Sequence, residues 1–226
     1  MNRVAQWLGL MVAVLMMAAP ASAAPAKWYS NIEEGSAAAK ELNLPLLLDF
    51  WADWCAACKV MEKDVYSDDA FTRAASGFVL VRVDADHRTD LARRYNIGTL
   101  PMLIFTDSYG SEIFRHSGFL DVRPFVELLQ SLPHDMSPFN RLSSVLAKDK
   151  DNFDALTEMG RRLRTESLYR SSNDYYARAL QRREAKADAA RREAILASMG
   201  ANYLEVKEGK KAAEIFQRCQ IGRAHV

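Results

Sequence analysis

The stretch LPLLLDFW, Leu44–Trp51, runs directly towards a Cys-x-x-Cys pair, Cys55 and Cys58. Its residues are apolar apart from one carboxylate, Asp49, and they do not alternate with polar residues. That pattern suits a strand buried on both faces rather than one with a wet side. A strand of this kind needs helices above and below it, which confines the chain to an α/β arrangement. The cysteines then fall where strand gives way to helix, through KVMEKDVY.

The flanking sequence agrees. NIEEGSAAAKELN reads as a helix before the strand. SDDAFTRAAS restarts helix with Ser67 as its expected N-cap, FVLVRVDAD is a second strand, and TDLARRYN is a short helix. PMLIF and EIFRHSGF are strands joined by TDSYGS, a hairpin turn around Gly110. DVRPFVELLQSL closes as an amphipathic helix capped by Asp121. Across residues 28–132 this order predicts a mixed sheet with helices on both faces.

Pro133 and Pro138 mark 133–140 as a linker. Residues 141–220 carry helix patterns only, with an internal repeat at an offset of 40. Leu156, Met159, Gly160, Leu163, Ser172, Tyr176 and Ala179 align with Leu196, Met199, Gly200, Tyr203, Ala212, Phe216 and Cys219. The spacing resembles the tetratricopeptide helix pair, with about six extra residues expected in its second helix through RREAKADAA. Cys219 occupies a small-residue position and reads as packing. About three such units are usually needed for stability, so the natural chain is expected to continue. Residues 221–226, IGRAHV, are expected to break the last helix. They match one translated frame of a common sequencing adapter and are read as an artefact.

The amino terminus places the chain in a compartment. Arg3, an apolar run over residues 4–19, Pro20 and Ala21-Ser22-Ala23 have the order of a secretory signal peptide, with cleavage expected after Ala23. The run is shorter than the roughly 20 residues of a spanning helix, and no later segment is apolar enough to span. The mature chain is therefore expected to be an exported, soluble protein. Thirty basic against 29 acidic side chains argue against a nucleic-acid or acidic-lipid binder.

In an oxidising compartment two cysteines can staple, clamp a metal or react. Zinc needs four ligands, and the four histidines His87, His116, His134 and His225 stand at no ligand spacing. Haem attachment needs a histidine where Lys59 stands. A staple across two residues would constrain the unfolded chain very little. Redox chemistry remains, and no metal or other cofactor is called for. A Cys55 thiolate at the start of a helix meets free N–H groups and the positive end of the dipole, which lowers its pKa from about 8.5. Cys58 lies one turn on, about 5–6 Å away between Cβ atoms in an ideal helix. The disulfide therefore forms only by tightening the first turn and should open readily.

The stretch DFWADWCAACK resembles the active site of the thioredoxin superfamily. Its style, with a later Leu-Pro before an apolar strand, is similar to the periplasmic thioredoxin-like domain of the DsbD family. The resemblance covers about half the mature chain and implies a thioredoxin-like fold. It implies Cys55 as nucleophile, Cys58 as resolving thiol and Asp49 as a buried acid that relays the Cys58 proton. Burial among Leu46, Leu47, Leu48 and Phe50 would raise the Asp49 pKa, as a base working near neutrality requires; pairing with Arg82 is the alternative. Trp54 would cover the disulfide, while Trp51 belongs to the core. The resemblance also implies a cis Leu100–Pro101 bond that aims the Leu100 backbone at substrate, and it places Gly118 near the same groove, although a bend in an edge strand explains Gly118 equally well.

Ala56-Ala57 adds no charge, donor or proline to stabilise the reduced form, so a reductase is expected over an oxidase or isomerase. Such an enzyme would reduce disulfide-containing client proteins. It would take electrons from a membrane thiol-reductant donor and use the helical tail to dock a protein partner. A redox-regulated interaction adaptor is the alternative from another class.

Overall fold

The computed structural model describes residues 26–223. The expected signal peptide lies outside them. Five strands form one mixed sheet in the order β1-β3-β2-β4-β5: β1 Trp28–Tyr29, β2 Leu46–Trp51, β3 Val79–Asp84, β4 Met102–Thr106 and β5 Glu112–Ser117. β1, β3 and β2 run parallel, and β4 and β5 are antiparallel to their neighbours. β1 is a two-residue edge strand, too short to have shown as a pattern.

Pleating divides β2 between two layers. Leu46, Leu48 and Phe50 pack with Val81, Ile104 and Leu91, beneath α1 Ile32–Leu42 and α4 Thr89–Arg94. Leu47 faces the other way, onto Met61, Phe71, Phe125 and Leu129, under α3 Asp69–Ala75 and α5 Val122–Ser131. Asp49 alternates with Leu47 and so shares this second face. Fully covering the strand on both sides is what its unbroken apolar run demanded.

Two local details differ from expectation. The N-cap of α3 is Asp68, whose Oδ1 accepts from Ala70 N at 2.7 Å. Ser67 Oγ instead donates to the Lys63 carbonyl, because the preceding helix runs on through a π-helical turn, Met61–Val65. Asp121 caps α5 as expected.

Beyond the sheet come α6 Ser137–Lys148, α7 Phe153–Thr165, α8 Tyr169–Leu180, α9 Arg183–Ala187, α10 Ala189–Glu205 and α11 Gly209–Arg223. Pro138 lies in the first turn of α6, where its missing N–H costs nothing. The extra residues of the repeat form α9 and the start of α10, not a longer second helix. α11 runs to Arg223, so no break occurs at residue 221, and 224–226 lie outside the described residues. The two repeat glycines have matching roles. A Cβ on Gly160 would stand 2.6 Å from the Tyr176 ring, and one on Gly200 2.5 Å from the Phe216 ring. Only glycine lets these helices approach so closely.

A polar seam ties the halves together. Buried Asp107 accepts from the Tyr109 and Ser111 amides, both at 2.9 Å, and from the Ser143 hydroxyl of α6. Ser108 donates to Asn140, which reaches Asn43 at the end of α1, and Asn43 donates to Asp135 and Ser137. Ile113 of β5 adds an apolar contact to the helical core.

Candidate active site

β2 delivers the chain to the site. After Trp51 the backbone turns, Cys55 N donating to the Ala52 carbonyl at 3.0 Å, and α2 Ala56–Val60 begins. Cys55 is its N-cap, in extended conformation, and its Sγ accepts from Cys58 N at 3.2 Å. The two sulfurs are bonded, with Cα atoms 5.3 Å apart. Both cysteines are buried, at 5% and 2% exposure.

The strand register brings the other expected residues to the same end of the sheet. Phe50 pairs with Met102 and Met102 with Ser117. Pro101 and Gly118 therefore flank the end of β2 from which Cys55 emerges. The Leu100–Pro101 bond is cis, and Gly118 N donates to the Pro101 carbonyl at 2.9 Å. Gly118 has φ +98°, a left-handed conformation that disfavours any side chain, although space around it is open. Gly118 thus bends the edge strand beside Pro101.

Trp54 is 69% exposed, held by its indole N–H, which donates to Asp86 Oδ2 at 2.9 Å. Asp86 sits in a turn organised by Asp84, whose carboxylate accepts from the Asp86 and His87 amides. Exposed Phe119 follows Gly118 at the same end.

Asp49 is 1% exposed. Loss of solvation pushes its carboxyl up to about 6, while the Arg82 guanidinium and the Tyr66 hydroxyl pull the other way and Glu62 adds to the rise. Both sequence alternatives for Asp49 are thus present together. Arg82 Nε stands 3.3 Å from Asp49 Oδ2, opposite it in the β2–β3 register, yet burial outweighs the partner. Arg82 also reaches Glu62 at 2.6 Å and lies 4.5 Å over the Trp51 ring. Trp51 is partly exposed, so its expected place in the core is only half realised.

Glu62, Tyr66, Asp86 and Phe119 escaped the sequence reading. Glu62 lies two helical turns after Cys55, a spacing that could have flagged it. Tyr66 and Asp86 carry no such signal, since a π-turn and a loop position them.

Residues 27–108 match the family model described as thioredoxin-like. They are a thioredoxin-like domain. The same residues carry the Cys55–Cys58 disulfide. The thiol:disulfide interchange protein DsbD of Yersinia pestis (strain Pestoides F) is 41% identical over 96 residues, 39% of this chain and 16% of that protein. DsbD of Vibrio vulnificus (strain CMCP6) is 32% identical over 108 residues, 45% of this chain and 18% of its own length. The chain therefore spans less than a fifth of these curated relatives. Among solved structures, the reduced C-terminal domain of Neisseria meningitidis DsbD aligns with TM-score 0.40 and 23% identity, covering 46% of this chain and 97% of that one.

Proposed function

We propose that this protein is an exported, periplasmic reductase of protein disulfides. The observation that carries the mechanism is Cys55 at the start of α2, with an N–H aimed at its sulfur, bonded to a Cys58 from the helix that covers the Asp49 face of the sheet. In the reduced enzyme that amide stabilises a Cys55 thiolate. The thiolate attacks one sulfur of a client disulfide, and the other client sulfur leaves as a thiolate. Cys58 then gives its proton to Asp49 and attacks Cys55 Sγ. The client's second thiolate departs, the Cys55–Cys58 disulfide forms, and two electrons have passed to the client. A carboxyl with pKa about 6 is matched to taking that proton near neutrality.

Trp54 and the Leu100–Pro101 backbone would contact the client, Trp54 through its flat exposed ring. Likeness to DsbD, the neutral Ala56-Ala57 dipeptide and the residue 1–23 pattern support reduction in the periplasm. Electrons would come from a membrane thiol-reductant donor. The paired helices with matching glycine–aromatic contacts support a tetratricopeptide-like docking unit. No helix among the described residues is long and apolar enough to cross a membrane.

The reduction potential of Cys55–Cys58, equilibrated against glutathione or dithiothreitol, tests the direction. A value near roughly −270 mV, as in thioredoxin, supports a reductase. A value near roughly −120 mV overturns that and makes the protein a disulfide donor or isomerase.

A further inference from the structure

At the pole of the sheet away from the dithiol, the β4–β5 turn and α8 enclose a cleft of about 470 Å³, within the size range of ligand sites. A smaller cavity of about 220 Å³ shares Arg94, Ser111, Tyr175 and Arg178 with it. Together they form one crevice between the α/β half and the helical half. The seam through Asp107, Ser143 and Asn140 fixes its two walls, so the crevice is preformed.

Its charges are unevenly matched. Arg94, at the end of α4, lies 5.3 Å over the Tyr95 ring, and Arg178 of α8 lies 5.1 Å over the Tyr175 ring. Each is steadied by one N–H given to a backbone carbonyl, Arg94 to Gly110 at 3.4 Å and Arg178 to Lys150 at 2.9 Å. Neither makes an ion pair among the described residues. Arg115 differs: Glu112 takes it through two hydrogen bonds of 2.6 and 2.5 Å, and the Tyr95 carbonyl takes a third. That leaves Asp174 as the remaining carboxylate of the larger cavity, while the smaller has none.

We propose that this crevice binds an acidic peptide segment of a partner protein, with its carboxylates on Arg94 and Arg178. The guanidinium fork suits a carboxylate, and the tyrosine beneath each one restricts its motion. Asp174 and the Glu112–Arg115 pair offer acceptors as well as donors, which matches a peptide backbone and would repel a bare phosphate. The proposal rests on the docking reading above and names its site and ligand chemistry.

The test is fluorescence anisotropy on the full oxidised chain at low ionic strength. The probe is a fluorescein-labelled hexapeptide, Gly-Glu-Asp-Glu-Gly-Leu, compared with its Gln/Asn counterpart. Saturable binding of the acidic peptide alone is expected, weakened about tenfold by R94Q or by R178Q and tightened by D174N. A variant that merely unfolded the crevice could not tighten it. Absence of saturable binding, equal binding of the neutral peptide, or indifference to R94Q and R178Q overturns the proposal. Displacement by equimolar inorganic phosphate also overturns it, because that would make the crevice a small-oxyanion site. The readout is binding and not turnover, so it stands apart from whether the dithiol reduces or oxidises its clients.

Discussion

Asp49→Asn separates burial from ionisation at the heart of the site. The native carboxyl titrates at about 6 instead of the ordinary 3.8, chiefly through desolvation. A raised folded pKa means the protonated form is the better tolerated one in the fold. The stability tied to Asp49 is therefore complete below about pH 4 and lost as pH rises through about 6. The shift of roughly two units corresponds to about 3 kcal/mol at the high-pH plateau. Asparagine is close in shape and cannot ionise, so this loss disappears in the variant. Urea unfolding of the oxidised native and Asp49→Asn proteins, followed from pH 4 to pH 8, measures the difference directly. The variant should gain about 3 kcal/mol relative to the native chain across that range, with the change centred between pH 4 and 6. A difference that stays flat with pH would refute the reasoning, since it would mean that Arg82 keeps Asp49 ionised at little cost. In the same variant, reoxidation of the dithiol by a client disulfide should slow by about 10²-fold, the lower end of general-base contributions.

Cys58→Ser should arrest the reaction as a mixed disulfide between Cys55 and the client, visible as a reducible band on non-reducing gels. Cys55→Ser should leave no such adduct. Trp54→Ala should change thermal stability by under about 0.5 kcal/mol, because the ring is exposed, and should raise KM for a protein disulfide in a turnover assay more than it lowers kcat. Gly160→Ala and Gly200→Ala each drive a methyl into a partly or fully buried ring. Overpacking costs about 1–3 kcal/mol and outweighs the roughly 1 kcal/mol that alanine adds to helix propensity. Chemical unfolding should show a net loss of about 1 kcal/mol for each.

Cys55, Cys58 and Asp49 were legible because their meaning is local. A carboxylate inside an unbroken apolar strand can only be buried, and cysteines at a strand-to-helix transition must meet the helix's first free N–H. Gly118 could be located by resemblance, but its conformation depends on the pairing of β4 with β5. Ser67 was misread as a cap because a one-residue widening of the preceding helix, invisible in periodicity, moved the cap to Asp68. α9 was likewise hidden, since a five-residue helix leaves too few turns to show a period.

By itself the sequence determined the α/β half with helices on both faces of its sheet, the helical half and the redox pair, through hydrophobic periodicity and residue spacing that act within a few turns of chain. Tertiary structure alone decided how Asp49 is balanced among Arg82, Tyr66 and Glu62. It also decided which aspartate holds Trp54, and the crevice that Arg94 and Arg178, 84 positions apart in sequence, line together. These contacts join distant elements through strand register and helix packing, and their electrostatics depend on how much water the finished fold excludes.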